Sequence, residues 1–228
     1  MKTLFQVSLM TCFLLLASDT AFARAGGGGA AGAAGGCLAL ILLPFAIIYA
    51  VIMTWQVRKK GKACQELLAR LQKQDAAWDP DMIRHRIDEI FFKVQQAWME
   101  RNQETARDCM SPGIYQKHKL QTDQMLAEHR KNVLENINLT SVVIVDVEDF
   151  VDNRRDRFWA NLEGSMTDYI IDETSNQVVK GDPKKTEHFN ELWKFIRSGD
   201  TWVLDEIDQD VSISELKGFK ASSETPGT

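Results

Sequence analysis

The chain has 228 residues and a net charge of −5, with 44% hydrophobic and 26% charged residues. The charges are concentrated in residues 58–228, which hold 25 basic and 31 acidic residues and therefore a net charge of −6. This excess of acidic residues argues against general nucleic-acid binding, because a protein that neutralises phosphates needs a basic face.

Residues 1–23 have the pattern of a secretory signal peptide. An apolar run follows Lys2, and the small residues Ala21 and Ala23 lie at the end of the segment. The pattern predicts cleavage after Ala23, with an uncleaved anchor as the alternative. Residues 24–36 are rich in Gly and Ala, which offer little side chain to bury, so we expect a flexible spacer here.

Residues 37–57 are uncharged and mostly apolar. A helix rises about 1.5 Å per residue, so a segment of this length covers roughly the 30 Å of a bilayer's hydrocarbon layer. The pattern therefore predicts a transmembrane helix over residues 37–57.

A basic cluster follows this segment directly. It consists of Arg58, Lys59, Lys60 and Lys62, whereas the other flank has only Arg24. The positive-inside rule therefore predicts that residues 58–228 face the cytoplasm, in a protein that crosses the plasma membrane once after signal cleavage. The same cations are expected to contact anionic lipid headgroups.

Helical periodicity continues after the membrane segment. Residues 58–79 are predicted to form a basic collar and an amphipathic helix, which is expected to lie on the bilayer, grip a partner or pack on its own domain. Its apolar positions are Cys64, Leu67, Leu68, Leu71 and Trp78. Asp79 and Pro80 suit the start of the next helix, predicted over residues 80–100. Two further helices are predicted over residues 102–109 and 112–136.

The period then changes to two, which predicts strands. These cover residues 139–148, 157–171, 177–179, 187–197 and 201–208, with a loop at residues 180–186. Helices followed by an antiparallel meander predict an α+β domain over residues 80–210, in which the helices cover a curved four-stranded antiparallel sheet. Residues 211–228 are predicted to form a flexible tail.

Two motifs close the predicted sheet. They are E-x-W-x-F-x-R, formed by Glu191, Trp193, Phe195 and Arg197, and W-x-L-x-x-I, formed by Trp202, Leu204 and Ile207. Together with the order of helices and strands, these motifs resemble the Tim44-like domain family over about residues 62–210. The resemblance implies the nuclear-transport-factor-two-like fold, a cone of curved sheet and helices around an apolar pocket. The layout is similar to that of the bacterial, membrane-anchored members, which implies a bacterial inner membrane.

The resemblance also implies a function. The family binds membranes and partner proteins, and its mitochondrial member holds the translocation channel to a chaperone motor. That member has a long chaperone-binding region where this chain has a predicted membrane helix. The resemblance thus implies a non-enzymatic scaffold that binds membrane proteins or polypeptides in transit, with no cofactor.

No common catalytic or metal-binding motif occurs in the sequence. The Walker loop, G-x-S-x-G, H-E-x-x-H and dinucleotide patterns are absent, and the four histidines form no ligand cluster. Enzymes of the cone fold use a buried carboxylate or histidine, for which Asp168 and Tyr169 are the nearest candidates. Neighbours in a strand face opposite sides, and we expect Asp168 on the solvent face and Tyr169 packed.

Four aromatic residues are candidates for a binding pocket at the mouth of the cone. They are Trp159, Trp193, Phe195 and Trp202. Such rings would accept an acyl chain or an apolar peptide segment. The alternative function is therefore a lipid-binding or small-ligand-binding protein, or an enzyme that uses this pocket. The other interpretation of the rings is plain core, the usual role of aromatic residues at alternating strand positions.

Overall fold

The computed structural model describes residues 36–224, with side chains from Leu42 onward. The predicted signal peptide and almost all of the predicted spacer lie outside the described residues. In chain order the elements are α1 (Gly36–Leu71), α2 (Pro80–Glu100), α3 (Pro112–Ala127), β1 (Arg130–Asp149), β2 (Arg157–Asp172), β3 (Gln177–Ser198), β4 (Thr201–Asp208), α4 (Ile213–Gly218) and β5 (Ser222–Ser223), with 3₁₀ helices at Ala76–Trp78, Gln103–Cys109 and Asn153–Arg155.

A single sheet forms the frame of the domain, with the strand order β4-β3-β2-β1-β5. The strands β1 to β4 pair antiparallel, and β5 pairs parallel with the end of β1. The expected α+β class is confirmed, but the sheet is curled and mixed with five strands instead of four antiparallel ones. The fifth strand consists of two serines, which offer no periodicity from which a strand could be predicted.

Helix α2 covers the inner face of the sheet and closes the main hydrophobic core. It begins and ends where the sequence predicts. At its start, Asp79 accepts hydrogen bonds from the N–H groups of Asp81 and Met82, and Pro80 occupies the first turn. Its apolar stripe is almost fully buried and consists of Ile83, Ile87, Ile90, Phe91, Val94 and Trp98.

One continuous helix, α1, replaces the predicted membrane helix and the separate amphipathic helix. Its second half packs on the domain, so the third alternative for the amphipathic segment is the one observed. The residues that it contributes to the main core are Cys64, Leu67, Leu68 and Leu71. Gly61 lies where α1 meets β1, because a Cβ atom there would lie 2.6 Å from Cγ1 of Val143.

The predicted transmembrane helix is not found among the described residues. Within this part of the chain, no helix is long and apolar enough to cross a membrane. The predicted span covers residues 37–57. Its last turns also differ from expectation, because they face the domain. Met53, Gln56 and Val57 are buried there.

The boundary between α3 and β1 lies earlier than predicted. Helix α3 ends at Ala127 and β1 begins at Arg130, although helical periodicity predicts helix to residue 136. His129 has a φ of 53°, a left-handed conformation in which helices commonly end. Residues 130–135 then pair with residues 167–172 of β2, a partner that a local pattern cannot show.

The predicted loop at residues 180–186 is part of β3. Thr186 lies opposite Thr167 and Gly181 opposite Tyr169, so residues 182–185 bulge out of the ladder. Gly181 has a φ of 79° and lies against the backbone of β2, a conformation and a contact that suit glycine. The Gly and Pro of this segment therefore mark a bulge within a strand.

Residues 211–224, predicted as flexible tail, pack back on the domain and are termed the C-terminal strap. Leu216 is fully buried, and Ser212 forms a capping box with Glu215 at the start of α4. Asp146 accepts hydrogen bonds from the N–H groups of Lys220 at 3.1 Å and Ala221 at 2.8 Å. Backbone hydrogen bonds and burial thus hold a segment whose composition alone predicts flexibility.

Candidate functional site

Three of the four candidate aromatic residues lie in the main core. Trp193, Phe195 and Trp202 are each at most 2% exposed. Phe195 stacks on Phe158 with ring centroids 4.9 Å apart, and Trp202 meets Phe158 edge-on at the same distance. The centroid of Trp193 lies 5.4 Å from that of Phe91. These rings fill the space between α2 and the sheet.

Trp159, the fourth candidate, lies on the other face of the sheet. Its neighbour Phe158 points into the main core, and neighbouring residues of a strand point to opposite faces. Trp159 stacks on Phe219 of the C-terminal strap with ring centroids 5.7 Å apart. The prediction of one pocket shared by all four rings is therefore corrected to two packed clusters on opposite faces. The second cluster contains Met53, Val57, Val145, Leu192 and Leu216, with Trp159 and Phe219 packed against it.

The aromatic motifs fix the segment between α1 and α2 on the β3–β4 hairpin. Trp202 donates its indole N–H to the carbonyl of Ala77 at 2.9 Å. Arg197 forms an ion pair with Asp75 at 3.0 Å, and the arginine side chain is only 5% exposed. Asp75 in turn accepts a hydrogen bond from the N–H of Ala77. The motif residues thus hold this segment against the β3–β4 hairpin within the packed domain.

The first half of α1 presents an apolar surface. No residue between Leu42 and Val57 is charged. Its large exposed side chains are 40–67% accessible and comprise Leu42, Leu43, Phe45, Ile47, Ile48, Tyr49, Val51, Ile52 and Trp55. A helix segment that is apolar on most sides and exposed is typical of contact with lipid or with another protein.

The basic cluster lies directly after this apolar surface. Its exposed members are Arg58, Lys59 and Lys62. Nζ of Lys59 lies 5.1 Å from the ring centroid of Trp55, a cation–π contact. Lys60 is half-buried and donates a hydrogen bond to the carbonyl of Phe219. Three of the four predicted contacts to anionic headgroups therefore face solvent, while Lys60 holds the C-terminal strap.

A buried polar chain lies on the inner face of the sheet. Trp98 donates its indole N–H to Oδ1 of Asn132 at 3.0 Å, and Nδ2 of Asn132 donates to Oδ1 of Asp168 at 2.7 Å. Tyr169 is half-buried and donates its hydroxyl to Glu135 at 3.3 Å. The expected orientation is wrong, because Asp168 faces inward and Tyr169 outward. Asn132 explains this result, since its amide gives the buried carboxylate a hydrogen-bond donor.

His118 lies next to this polar chain, edge-on to Trp98 with ring centroids 5.4 Å apart. Burial lowers the pKa of His118 to about 4, so the imidazole is neutral near pH 7. Among the residues with described side chains, no group of three or more His, Cys, Asp or Glu is placed to hold a metal ion. The geometry therefore gives His118 a packing role.

A groove with a volume of about 270 Å³ lies away from the aromatic core. It is formed by the end of α3, the start of β1 and the outer end of the β2–β3 hairpin. Met125 and Ile170 are its buried apolar residues, and Arg130 and Lys180 contribute cations. No pattern in the sequence indicates this groove, because its lining comes from four elements that meet only in the folded chain.

Sequence reasoning also missed Asn132 and the C-terminal strap. Asn132 gives no local signal, because its role depends on Trp98 and Asp168, which are distant in sequence. The strap does carry a signal, since Ser212 and Glu215 have the S-x-x-E spacing of a capping box before apolar residues.

These features define a class of α+β domain in which helices close the inner face of a curled sheet over a packed aromatic core. The chain belongs to the Tim44-like domain family, whose model matches residues 64–209. The match begins at Cys64, the first residue of α1 in the main core, and ends before the C-terminal strap. No curated protein matches the chain. Among solved structures, the intermembrane space region of the chloroplast protein ARC6 is similar over 57% of this chain and 97% of its own, with 14% identity and a TM-score of 0.40.

Proposed function

We propose that this protein is a membrane-attached, non-catalytic adaptor that binds membrane proteins or polypeptides in transit. The Tim44-like domain family is linked to protein translocation and to association with membrane proteins. The main support for the proposal is the division of α1 into two halves. Its first half is apolar and exposed, and its second half belongs to the domain core. One continuous helix therefore joins the attachment surface to the domain.

The proposed attachment uses the apolar half of α1 and the cations at its end. Each large apolar side chain that leaves water contributes about 1.5–3 kcal/mol, so the nine exposed side chains supply a strong driving force for insertion into lipid. Arg58 and Lys62 lie one turn apart at the headgroup end of this surface. Each cation near an anionic membrane surface adds about 1 kcal/mol.

The attachment is tested with Ile48→Asp/Ile52→Asp in the full chain. Charges on the apolar surface oppose its burial among acyl chains, so the variant is expected to leave the pellet when vesicles containing phosphatidylglycerol are sedimented. The matched control is Leu120→Asp, which changes an exposed leucine of α3. Equal sedimentation of all three proteins would exclude α1 as the attachment.

We further propose that the domain lies on the cytoplasmic side of a bacterial inner membrane. The cations lie on the domain side of the apolar surface, where the anionic cytoplasmic leaflet would attract them. Cys64 and Cys109 are buried free thiols, which suits a reducing compartment. Reporters fused after residue 228 test this location. Activity only of a reporter that works in the periplasm would overturn it.

The adaptor function is tested by crosslinking in native membranes and purification of the full chain. A reproducible set of membrane proteins or nascent polypeptides is expected, and it should be lost when residues 80–210 are deleted. The Ile48→Asp/Ile52→Asp variant separates membrane attachment from partner binding by the domain. It should lose only the partners that the protein meets at the membrane. Failure to recover reproducible partners with the intact chain would count against an adaptor.

A further inference from the structure

The C-terminal strap lies beside the part of α1 where the apolar surface ends. Leu216 of the strap packs with Met53 and Val57, and the carbonyl of Phe219 accepts a hydrogen bond from Lys60. Val57 and Lys60 are about 4.5 Å apart along the helix axis, because an α-helix rises about 1.5 Å per residue. The middle of the strap therefore lies at the same level along α1 as the start of the basic cluster.

Two exposed lysines of the strap follow these contacts directly. Lys217 is next to Leu216 in the chain, and Lys220 is next to Phe219. Within the residues that the structure describes, neither lysine forms an ion pair. Both ammonium groups are therefore available to a partner outside the chain.

The carboxylates near these lysines are held by hydrogen bonds within the domain. Glu215 is half-buried and accepts from the N–H of Ser212 at 2.9 Å in the capping box. Asp146 is buried and accepts from the N–H groups of Lys220 and Ala221. Between Ser212 and Ala221, the exposed charged side chains of the strap are thus both cations.

The strap lysines extend the exposed part of the basic cluster. Residues 58–62 span about 6 Å of α1, and the headgroup layer on each side of a bilayer is about 5–7 Å thick. Trp55, which lies one turn before Lys59 and contacts it, is an aromatic residue of the kind that favours the membrane interface. The combined set is termed the basic surface and consists of Arg58, Lys59, Lys62, Lys217 and Lys220.

We propose that the C-terminal strap rests on anionic phospholipid headgroups and, as part of the basic surface, fixes the orientation of the domain on the membrane. A bilayer matches the chemistry here, because its acyl layer suits the apolar half of α1 and its anionic headgroups suit the adjoining cations. Residues 58–228 carry a net charge of −6, so an anionic membrane favours the approach of the basic surface over that of the acidic parts of the domain. This inference rests on the proposed attachment by α1, which brings the strap to the membrane.

The position of the strap is tested with the full chain in vesicles of phosphatidylcholine and phosphatidylglycerol in equal amounts. Benzoylphenylalanine replaces either Ser214 of α4 or Ser198 at the end of β3, both of which are exposed. Ser198 follows Arg197, which pairs with Asp75 just past the end of α1, about 21 Å from Val57 along the helix. Illumination is expected to crosslink lipid to the first position and not to the second.

The headgroup preference is tested with Lys217→Glu/Lys220→Glu in the chain that carries benzoylphenylalanine in place of Ser214. The excess of phosphatidylglycerol over phosphatidylcholine among the crosslinked lipids is expected to fall at least about fivefold. This factor corresponds to about 1 kcal/mol, the contribution of one cation near an anionic membrane surface. The control is Lys117→Glu/Lys184→Glu, which changes the net charge equally at exposed lysines of α3 and β3 and should keep the excess.

Three results would overturn the inference. They are the absence of lipid crosslinks from the position of Ser214, equal crosslinking at the two positions, and an equal excess of phosphatidylglycerol in the two lysine variants. Sedimentation of the Ile48→Asp/Ile52→Asp variant distinguishes these results from a failure of the attachment. If the wild type sediments with vesicles and this variant does not, while the position of Ser214 gives no lipid crosslink, the attachment stands and the strap faces away from the membrane.

Discussion

At the scale of single residues, Asn132 connects the inner face of the sheet to α2. Its Oδ1 accepts from Trp98 and its Nδ2 donates to Asp168, and all three side chains are buried. Buried polar groups that lose a partner carry the full cost of leaving water. The side chain of Asn132 therefore matters more for stability than its size suggests.

We predict that Asn132→Leu lowers the free energy of unfolding by about 3 kcal/mol, because Trp98 loses its acceptor and Asp168 loses one donor. Urea unfolding followed by circular dichroism measures this change. The control is Gln116→Leu on the exposed face of α3, for which less than about 0.5 kcal/mol is expected. An equal effect of the two substitutions would contradict the role given to Asn132.

His118 makes stability depend on pH. Burial lowers its pKa from 6.5 to about 4, so below pH 6.5 the unfolded chain binds a proton that the folded chain does not. The stability that depends on neutral His118 is complete above about pH 6.5. It is lost as the pH falls toward 4, in total about 3 kcal/mol.

We predict that the His118→Phe variant does not show the loss of stability that His118 causes between about pH 6.5 and pH 4. Asp156 acts in the opposite direction, because burial raises its pKa to about 6 and the folded state therefore gains stability as the pH falls below 6. The contribution of His118 is thus measured as the difference between wild type and variant in urea unfolding from pH 7 to pH 4. His85→Phe, which changes an exposed histidine, should leave the wild-type profile unchanged.

At the scale of elements, the C-terminal strap fixes α1 to the outer face of the sheet. Leu216 packs with Met53 and Val57 of α1, and Lys60 of the same helix donates to Phe219 of the strap. Asp149 accepts a hydrogen bond from the hydroxyl of Ser223 at 2.7 Å. The strap therefore couples the orientation of α1 to the domain.

We predict that Leu216→Ala lowers the free energy of unfolding by about 2–5 kcal/mol, the usual cost of removing a buried leucine side chain. The same variant should increase amide exchange at Met53 and Val57, because their packing partner is lost. Leu120→Ala, at a leucine that is 67% exposed, is the control for both measurements. Unchanged exchange in α1 would show that the strap does not hold this helix.

Across the whole molecule, the domain includes the second half of α1. Cys64, Leu67, Leu68 and Leu71 are buried in the main core, and the family match begins at Cys64. The predicted boundary at residue 80 therefore cuts through the core. Each buried apolar side chain contributes about 1.5–3 kcal/mol, and a domain is stable by only about 5–15 kcal/mol in total.

We predict that a fragment of residues 58–228 unfolds cooperatively on heating and that a fragment of residues 80–228 does not. The second fragment lacks four buried side chains of α1 and Trp78, which packs on Trp202 with ring centroids 4.6 Å apart. Circular dichroism during heating distinguishes the two fragments. Cooperative unfolding of the shorter fragment would show that α1 is dispensable for the core.

Features that depend on neighbours along the chain were predictable from the sequence. The stripe of α2, its Asp79 cap and the alternation of β2 follow from periods of 3.6 and 2 residues, which are set by local geometry. The aromatic motifs of β3 and β4 indicated the family for the same reason, since Trp193 and Phe195 lie two residues apart on one face. The class of fold and the family could therefore be predicted.

The contacts between residues that are distant in sequence could not be predicted in this way and follow from the folded chain. Folding turned Asp168 inward to Asn132, separated Trp159 from the other three aromatic candidates and packed the C-terminal strap on α1. It also paired β4 with only the last seven residues of β3, Leu192–Ser198. Each of these results depends on long-range pairing and on burial. Their free energies come from contacts between segments that are distant in sequence, and such contacts produce no periodic pattern within either segment.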